Sequence, residues 1–139
     1  MNFLLDTNVV NELRKRPGRI DEGVASWGAA LDAEAQFLSA ITVFEVELGI
    51  LRVERRDELQ GKMLRRWFEI GVLDAFEKRT LGVGRDVARR AAALQVPDPR
   101  PERDAYIAAT ALVHGLTVAT RNVGDFEPMG VPVVNPWTE

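Results

Sequence analysis

The sequence predicts an α/β protein built as a three-layer α/β/α sandwich with a mainly parallel central sheet. One pattern in the sequence and one general rule lead to this fold class. Short apolar runs alternate along the chain with segments whose apolar residues recur at helical spacing. Strands that alternate with helices are joined by right-handed crossovers, which produce a parallel sheet covered by helices on both faces. The length of 139 residues fits a single domain over residues 1–139, with one hydrophobic core.

The first elements are a strand and a short helix. The apolar run Asn2–Leu5 predicts the strand, and the cap-type tripeptide DTN at positions 6–8 precedes the helical segment VVNELRKR. A Pro-Gly pair at positions 17 and 18 ends that helix. Apolar residues then recur at helical intervals over positions 20–31 and predict a second helix.

The middle of the chain adds a strand and more helices. Gln36–Ser39 is the strand candidate, and helical spacing begins at Thr42, so Ser39 or Thr42 caps a third helix. Glu45 then lies in its first turns, whereas Glu47 is expected to be solvated. A charged helical hairpin is expected over 55–70, with an apolar stripe formed by Leu59, Met63, Leu64, Trp67 and Ile70.

The last part of the chain repeats the alternation. A strand at TLGV precedes the Ala-rich helix DVARRAAALQV, and three prolines within Pro97–Pro101 mark a loop that cannot continue a helix. A further helix starts at Asp104 and ends at Gly115, a natural stop signal. The strand LTVAT, the polar turn RNVGD and a short strand near Val131–Val134 complete the predicted sheet.

Composition excludes several classes of protein. The net charge of −3 argues against coating nucleic acid by charge alone, and 15 of the 18 basic residues are arginines, whose forked side chain matches phosphate well. Zero cysteines exclude disulfides, thiolate catalysis and Cys-ligated zinc. No run approaches the roughly 18 apolar residues of a membrane span, and no signal peptide is recognisable. We expect a cytoplasmic protein without a membrane partner.

Four acidic residues follow or flank predicted strands. Asp6, Glu45, Asp104 and Asp125 each lie where an apolar run meets a helix, and such junctions line the ligand crevice of an open α/β sheet. Carboxylates that crowd together must protonate or be neutralised, and a hard cation such as Mg²⁺ or Mn²⁺ neutralises them well. Such a site supports metal-assisted phosphodiester hydrolysis without His or Cys.

Each of these residues also has an ordinary structural interpretation. Asp6 and Asp104 could be plain helix caps, and Asp125 could be a turn residue. Glu45 is the most suggestive, because it interrupts an apolar segment in which an unpaired carboxylate would be costly to bury. The hydroxyl or amide groups of Asn8 and Thr120 are expected to orient a carboxylate or a water rather than to bind metal directly.

The same segments resemble the PIN-domain family, specifically its VapC-type and FitB-like toxins. The resemblance is carried by LLDTNVVNELRK, LSAITVFEVELGI, DAYIAATALVHGLTVATRNVGDF and VPVVNPW, in family order and at family-like spacing. It covers essentially the whole chain. It implies a PIN fold and a Mg²⁺- or Mn²⁺-dependent endoribonuclease, the toxin of a toxin–antitoxin pair with an RNA substrate.

The resemblance also assigns residues to the site. Asp6, Glu45 and Asp104 match the three core acids of the family. Some members have an aspartate directly after Thr-Arg, where this chain has Asn122. Either Asp125 supplies the fourth carboxylate, or the amide oxygen of Asn122 reaches metal or water. With one charge fewer, occupancy by a single metal ion is expected in the absence of RNA.

The family further implies assembly partners. These are a second copy in a homodimer and a small cognate antitoxin that covers the acidic cleft, often with an arginine reaching the carboxylates. DNA would be bound indirectly, through the antitoxin. The net acidity of this chain agrees with that division of roles.

Other classes of protein fit the sequence less well. A phosphotransfer receiver domain needs a late lysine, and no lysine follows Lys78. A haloacid-dehalogenase-type phosphatase needs an aspartate two residues after the first, where this chain has Asn8. The remaining alternative is a catalytically weak PIN-like protein that acts mainly as a partner- or RNA-binding module.

Overall fold

A computed structural model describes residues 1–137 and confirms the predicted three-layer α/β/α sandwich. Five parallel strands within these residues form one sheet of order β3-β2-β1-β4-β5. The first strand is central, and Leu4 is paired with Phe37 on one side and with Val118 on the other. The strands are β1 (Phe3–Leu5), β2 (Gln36–Ser39), β3 (Thr80–Leu81), β4 (Thr117–Ala119) and β5 (Val133–Val134).

Helices cover both faces of this sheet. A π-helix at Trp67–Asp74 follows the fourth α-helix, and short 3-10 turns lie at Ala33–Ala35, Glu77–Arg79 and Glu127–Met129. The α-helices of the described chain are α1 (Thr7–Leu13), α2 (Glu22–Ala30), α3 (Ala40–Arg56), α4 (Glu58–Arg66), α5 (Arg85–Ala93), α6 (Glu102–His114) and α7 (Val123–Phe126).

The core consists of two apolar layers, one on each side of the sheet. Alternate residues of a strand point to opposite faces, so Leu4 joins the layer under α5 and α6, while Phe3 and Leu5 join the layer under α1, α3 and the π-helix. Phe126 and Phe68 are fully buried in these two layers, respectively. The two layers fix the sheet between them, and its strand ends therefore have a defined position.

Most predicted elements are confirmed with small changes of boundary. Ser39 caps α3 by accepting the Ile41 N–H at 3.0 Å, and Gly115 ends α6 with a φ of 68°, a conformation that glycine adopts readily. The predicted polar turn RNVGD is partly wrong, because residues 123–126 form α7. Local composition favoured a turn there, but Phe126 is buried in the core and holds the segment as a helical turn.

The predicted hairpin over 55–70 is partly confirmed. One helix ends at Arg56, α4 begins at Glu58, and Gly61 lies where α4 approaches α3, since an added Cβ would come within 2.8 Å of the Glu54 Cα. The expected apolar stripe does not pack as a unit: Trp67 and Leu64 contact the core, whereas the other three members are mostly exposed. Those exposed members are Leu59, Met63 and Ile70.

Among the helices of residues 1–137, none combines the length and the apolar composition needed to cross a bilayer.

Candidate active site

The ends of two neighbouring strands form the base of the candidate site. Asp6 follows β1 and Thr120 follows β4, and the parallel pairing of Leu5 with Ala119 brings the two residues together. The main-chain N–H of Asp6 donates to the Ala119 carbonyl at 2.9 Å. The carboxyl ends of neighbouring parallel strands lie on the same side of the sheet, as the sequence predicted for these two residues.

The Asp6 carboxylate is buried and held by hydrogen bonds. Its Oδ1 accepts the Thr7 N–H at 2.9 Å, so Asp6 also serves as the N-cap of α1. Its Oδ2 accepts from the Thr120 hydroxyl at 2.8 Å and from the Asn8 amide at 3.3 Å. Burial raises the pKa of Asp6 despite these bonds, and the nearby Glu45 and Asp125 raise the pKa further.

The residues expected to orient the site form a connected network. The side-chain nitrogen Nδ2 of Asn8 also lies 3.3 Å from the Thr120 hydroxyl oxygen, and the side-chain oxygen Oδ1 of Asn8 accepts the main-chain N–H of Arg121 at 3.3 Å. The main-chain N–H of Asn122 donates to the Thr120 hydroxyl oxygen at 3.0 Å. Asn8 and Thr120 therefore contact Asp6 directly, whereas Asn122 acts through Thr120.

Glu45 lies on α3 and joins the site through Thr7. The Thr7 hydroxyl donates to Glu45 Oε1 at 2.6 Å, while the Thr7 N–H bonds Asp6. The other carboxylate oxygen, Oε2, lies 3.6 Å from Nη1 of Arg103. The side chain of Glu45 is 23% exposed and is therefore partly open to solvent.

Asp104 and Asp125 complete the group of four acids. Asp104 lies in the first turn of α6 and is half-buried, whereas Asp125 lies in α7 and is exposed. Burial raises the pKa of Asp104 to about 6, and the charges of Asp6, Asp125 and Glu45 contribute to the increase. The structure thus brings all four predicted acids close enough for their charges to interact, although their contribution to chemistry stays a prediction.

The donor set consists of carboxylate oxygens. Within residues 1–137, no three acidic or histidine side chains are grouped closely enough to hold a metal ion by themselves. Mg²⁺ usually keeps several waters and binds proteins through one or two carboxylates. Oxygen ligands with mutual repulsion, together with the raised pKa of Asp104, fit such a partly hydrated hard cation.

Sequence reasoning missed two residues of this site. Thr7 was expected to cap a helix, but its hydroxyl joins α1 to α3 through Glu45. Arg103 carried no signal beyond its position before Asp104, and its contact with Glu45 depends on the packing of α6 beside α3. Glu47 was expected to be solvated, and its side chain is 37% exposed; it also forms an ion pair that was not predicted, with Arg65 Nη2 2.7 Å from its carboxylate.

The protein is of the α/β class, with one carboxylate at the end of its central strand and three more on the helices α3, α6 and α7. Comparison with known proteins then gives the family. Residues 3–127 match the PIN domain family model. The chain belongs to the PIN-domain family.

Individual relatives support this assignment along the whole chain. VapC ribonuclease Y4jK of Sinorhizobium fredii is 37% identical over 97% of both chains. The crystal structure of FitAcB from Neisseria gonorrhoeae is 38% identical with a TM-score of 0.87, and the match covers 99% of each chain. A toxin–antitoxin complex from Klebsiella pneumoniae contains a chain that is 28% identical with a TM-score of 0.69, over 98% of each chain.

Proposed function

We propose that this protein is a Mg²⁺- or Mn²⁺-dependent endoribonuclease and acts as the toxin of a VapBC-type toxin–antitoxin pair. The observation that carries the proposal is that Asp6, buried at the end of β1, shares Thr7 as a hydrogen-bond partner with Glu45. Burial raises the pKa of Asp104, and the charges of Asp6, Asp125 and Glu45 raise it further. Membership of the PIN-domain family and similarity to a VapC ribonuclease support RNA as the substrate.

Asp6, Glu45, Asp104 and Asp125 would hold the metal ion, directly or through water. When bound, the ion lowers the pKa of a water molecule and stabilises negative charge on the phosphate that is cleaved. Asp6 is the best-positioned ligand, because hydrogen bonds from Thr7, Thr120 and Asn8 fix its carboxylate.

The remaining residues orient the carboxylates and the substrate. The Thr7 hydroxyl holds Glu45 beside Asp6 and so keeps the two acids in register. Burial and the neighbouring carboxylates raise the pKa of Asp104 to about 6, so a bound cation would favour its ionised form. Asn122 lies beside Asp125 at the exposed rim, where its amide oxygen is the alternative fourth ligand.

The partners follow from the same site. A cationic side chain of a small antitoxin would neutralise the acidic cleft and compete with the metal ion for it. The toxin–antitoxin complex from Klebsiella pneumoniae supports a partner of this kind. We further propose a homodimer, with DNA bound through the antitoxin rather than through this acidic chain of net charge −3.

Cleavage of RNA by the purified chain tests the activity. We expect fragments with Mg²⁺ or Mn²⁺ and none with EDTA, and we expect Asp104→Asn to abolish cleavage. Asp86→Asn is the matched control, because Asp86 is an exposed aspartate on α5. Equal cleavage by wild type and Asp104→Asn would show that the assigned site is wrong.

Metal stoichiometry and partnership have separate tests. Calorimetric titration of Mn²⁺ is expected to show one site, and two equally tight sites would contradict single occupancy.

Expression with and without the neighbouring upstream open reading frame tests the toxin role. Growth should stop when the chain is expressed alone and continue when the two are expressed together. If RNA is bound but never cleaved under any metal condition, the alternative holds and the chain is a partner- or RNA-binding module.

A further inference from the structure

An exposed cation and an exposed aromatic ring lie together at the rim of the candidate site. The guanidinium carbon of Arg103 lies 4.9 Å from the centroid of the Phe44 ring. The side chain of Arg103 is 51% exposed, and Phe44 is 50% exposed. In contrast, Phe68 and Phe126 of the same chain are fully buried.

The position of the pair ties it to the acids. Phe44 precedes Glu45 on α3, and Arg103 precedes Asp104 on α6, so the pair connects the two helices that supply these carboxylates. The same guanidinium contacts Glu45 through Nη1 at 3.6 Å. A guanidinium has five N–H donors, so this contact leaves it able to bind a further anion.

The pair contributes little to holding the fold together. The ion pair between Arg103 and Glu45 is partly exposed, so water screens it and it stabilises the protein only weakly. The ring of Phe44 does not belong to either of the two core layers. One exposed phenylalanine is ordinary by itself; Phe44 is distinguished by its contact with Arg103 directly beside the carboxylates of the site.

We propose that Arg103 and Phe44 form a contact site for single-stranded RNA, in which Arg103 binds a phosphate beside the cleaved one and Phe44 stacks on the adjoining base. Single-stranded RNA is bound in this way by cations that follow the backbone and by aromatic faces that receive the bases. A polyanion that approaches four carboxylates also needs a cation at the rim to offset their repulsion. This inference rests on the proposed ribonuclease function.

Binding measured without metal separates this contact from the chemistry. The probe is a fluorescein-labelled single-stranded RNA of mixed sequence, and its anisotropy is followed with the full chain in EDTA over a series of salt concentrations. Phe44→Ala is expected to weaken binding about 5- to 150-fold, the range found for loss of one stacked base. Arg103→Ala should lower the slope of log affinity against log salt by about 0.7, the value for one phosphate contact on a single strand.

Conservative and distant variants serve as controls. Arg103→Lys should keep the salt slope but bind more weakly, because an ammonium lacks the planar face that stacks on Phe44. Phe44→Leu keeps an apolar side chain without a stacking face and should bind like Phe44→Ala. Arg90→Ala, on α5 in the group of residues around Val113 near the far end of α6, should bind RNA like the wild type.

The outcomes distinguish this inference from the proposed function. If the wild type cleaves RNA, and Arg103→Ala and Phe44→Ala bind RNA as well as it does, the contact site is wrong and the ribonuclease function stands. If those variants bind RNA normally but lose a co-expressed antitoxin, the surface belongs to a protein partner and the inference is overturned. If the wild type neither binds nor cleaves RNA, both proposals fail.

A KM and kcat comparison excludes a role through Glu45. In cleavage assays with Mn²⁺, Arg103→Ala should raise KM more than it lowers kcat. Calorimetric Mn²⁺ affinity should stay within about twofold of the wild type, since the proposed partner of Arg103 is RNA. Weaker Mn²⁺ binding together with unchanged RNA affinity in EDTA would show that Arg103 only positions Glu45, and would overturn the inference.

Discussion

The two ends of helix α1 each carry a buried carboxylate, and the two differ in how burial is compensated. Asp6 is 5% exposed at the N-terminus, and Glu12 is 8% exposed at the C-terminal end. Burial raises the pKa of Asp6 in spite of its hydrogen bonds. The hydrogen bond from Lys15, followed by that from the Asp21 N–H, instead holds the pKa of Glu12 below its usual range.

The difference separates a structural carboxylate from one that is available for chemistry. Glu12 has a cation at 2.8 Å and an N–H donor at 2.9 Å, and through Asp21 it fixes the start of α2. The hydrogen bonds to Asp6 come from neutral groups, and the charges of Glu45 and Asp125 add to the effect of burial on its pKa. Burial beside other carboxylates disfavours the ionised form of Asp6, and a bound metal ion would offset that cost.

The largest expected effect is the loss of cleavage in Asp6→Asn. The substitution keeps the shape of the side chain and removes its charge, so RNA cleavage with Mn²⁺ should fall by at least about 10²-fold, a usual loss for an electrostatic group in a reaction centre. Thermal unfolding in EDTA should occur at the same or a higher temperature, because a carboxylate that burial disfavours has been removed. A destabilised variant would contradict this view of Asp6.

Thr120→Val is expected to have the next largest effect. Thr120 is fully buried and donates to Asp6 at 2.8 Å, and loss of a group that orients a metal ligand typically costs about 10- to 100-fold in activity or metal affinity. Single-turnover cleavage and Mn²⁺ titration measure both.

Thr110→Val is the matched control for Thr120→Val. Thr110 is also fully buried, but its hydroxyl donates to the Tyr106 carbonyl within α6. The Thr110→Val variant should cleave RNA at the same rate as the wild type. Equal losses in the two threonine variants would show that the effect comes from packing rather than from orientation of Asp6.

The base of the site could be predicted because the ends of its two strands are recognisable in the sequence and a parallel sheet brings such ends together. A strand followed by a capping aspartate gives the position of Asp6, and parallel pairing of β1 with β4 gives that of Thr120. Thr7 and Arg103 could not be assigned in the same way. Their partner Glu45 lies 38 residues beyond Thr7 in the chain, and these contacts depend on how α3 packs between α1 and α6.

The same limit explains the errors elsewhere in the fold. Periodicity indicates that the apolar residues of a helix share a face, but not whether another element covers that face. The exposure of Leu59 and Met63 could therefore not be predicted. The ion pair of Glu47 with Arg65 was not predicted, because Arg65 lies on the next helix. The π-helix at Trp67–Asp74 has no simple sequence pattern.

Glu12→Ala is expected to affect stability and not chemistry. The change removes the acceptor of the Asp21 N–H, and an N–H that loses its partner costs about 1–3 kcal/mol. Urea denaturation should show this loss of unfolding free energy, while RNA cleavage per folded molecule should equal that of the wild type. A drop in cleavage comparable to that of Asp6→Asn would remove the distinction between the two ends of α1.

The smallest effect, and the sharpest comparison, is the pH dependence of the two carboxylates in EDTA. The pKa of Glu12 is lowered in the folded state, so its stabilisation is complete above its ordinary value of 4.5 and is lost as the pH falls through the folded pKa. The unfolding free energy of wild type minus that of Glu12→Gln should therefore decrease in acid, by up to about 1 kcal/mol for a pair with a half-exposed lysine.

The pKa of Asp6 is raised, so the difference in unfolding free energy between wild type and Asp6→Asn should change in the opposite direction. Wild type should lose stability relative to the variant as the pH rises above 3.8. Urea denaturation at a series of pH values, from about pH 3 to about pH 7, measures both differences. This range includes the ordinary pKa values of both side chains, 3.8 and 4.5. Two slopes of the same sign would mean that Asp6 is held as a structural acid, like Glu12, and would remove the electrostatic argument for a metal ion at the N-terminus of α1.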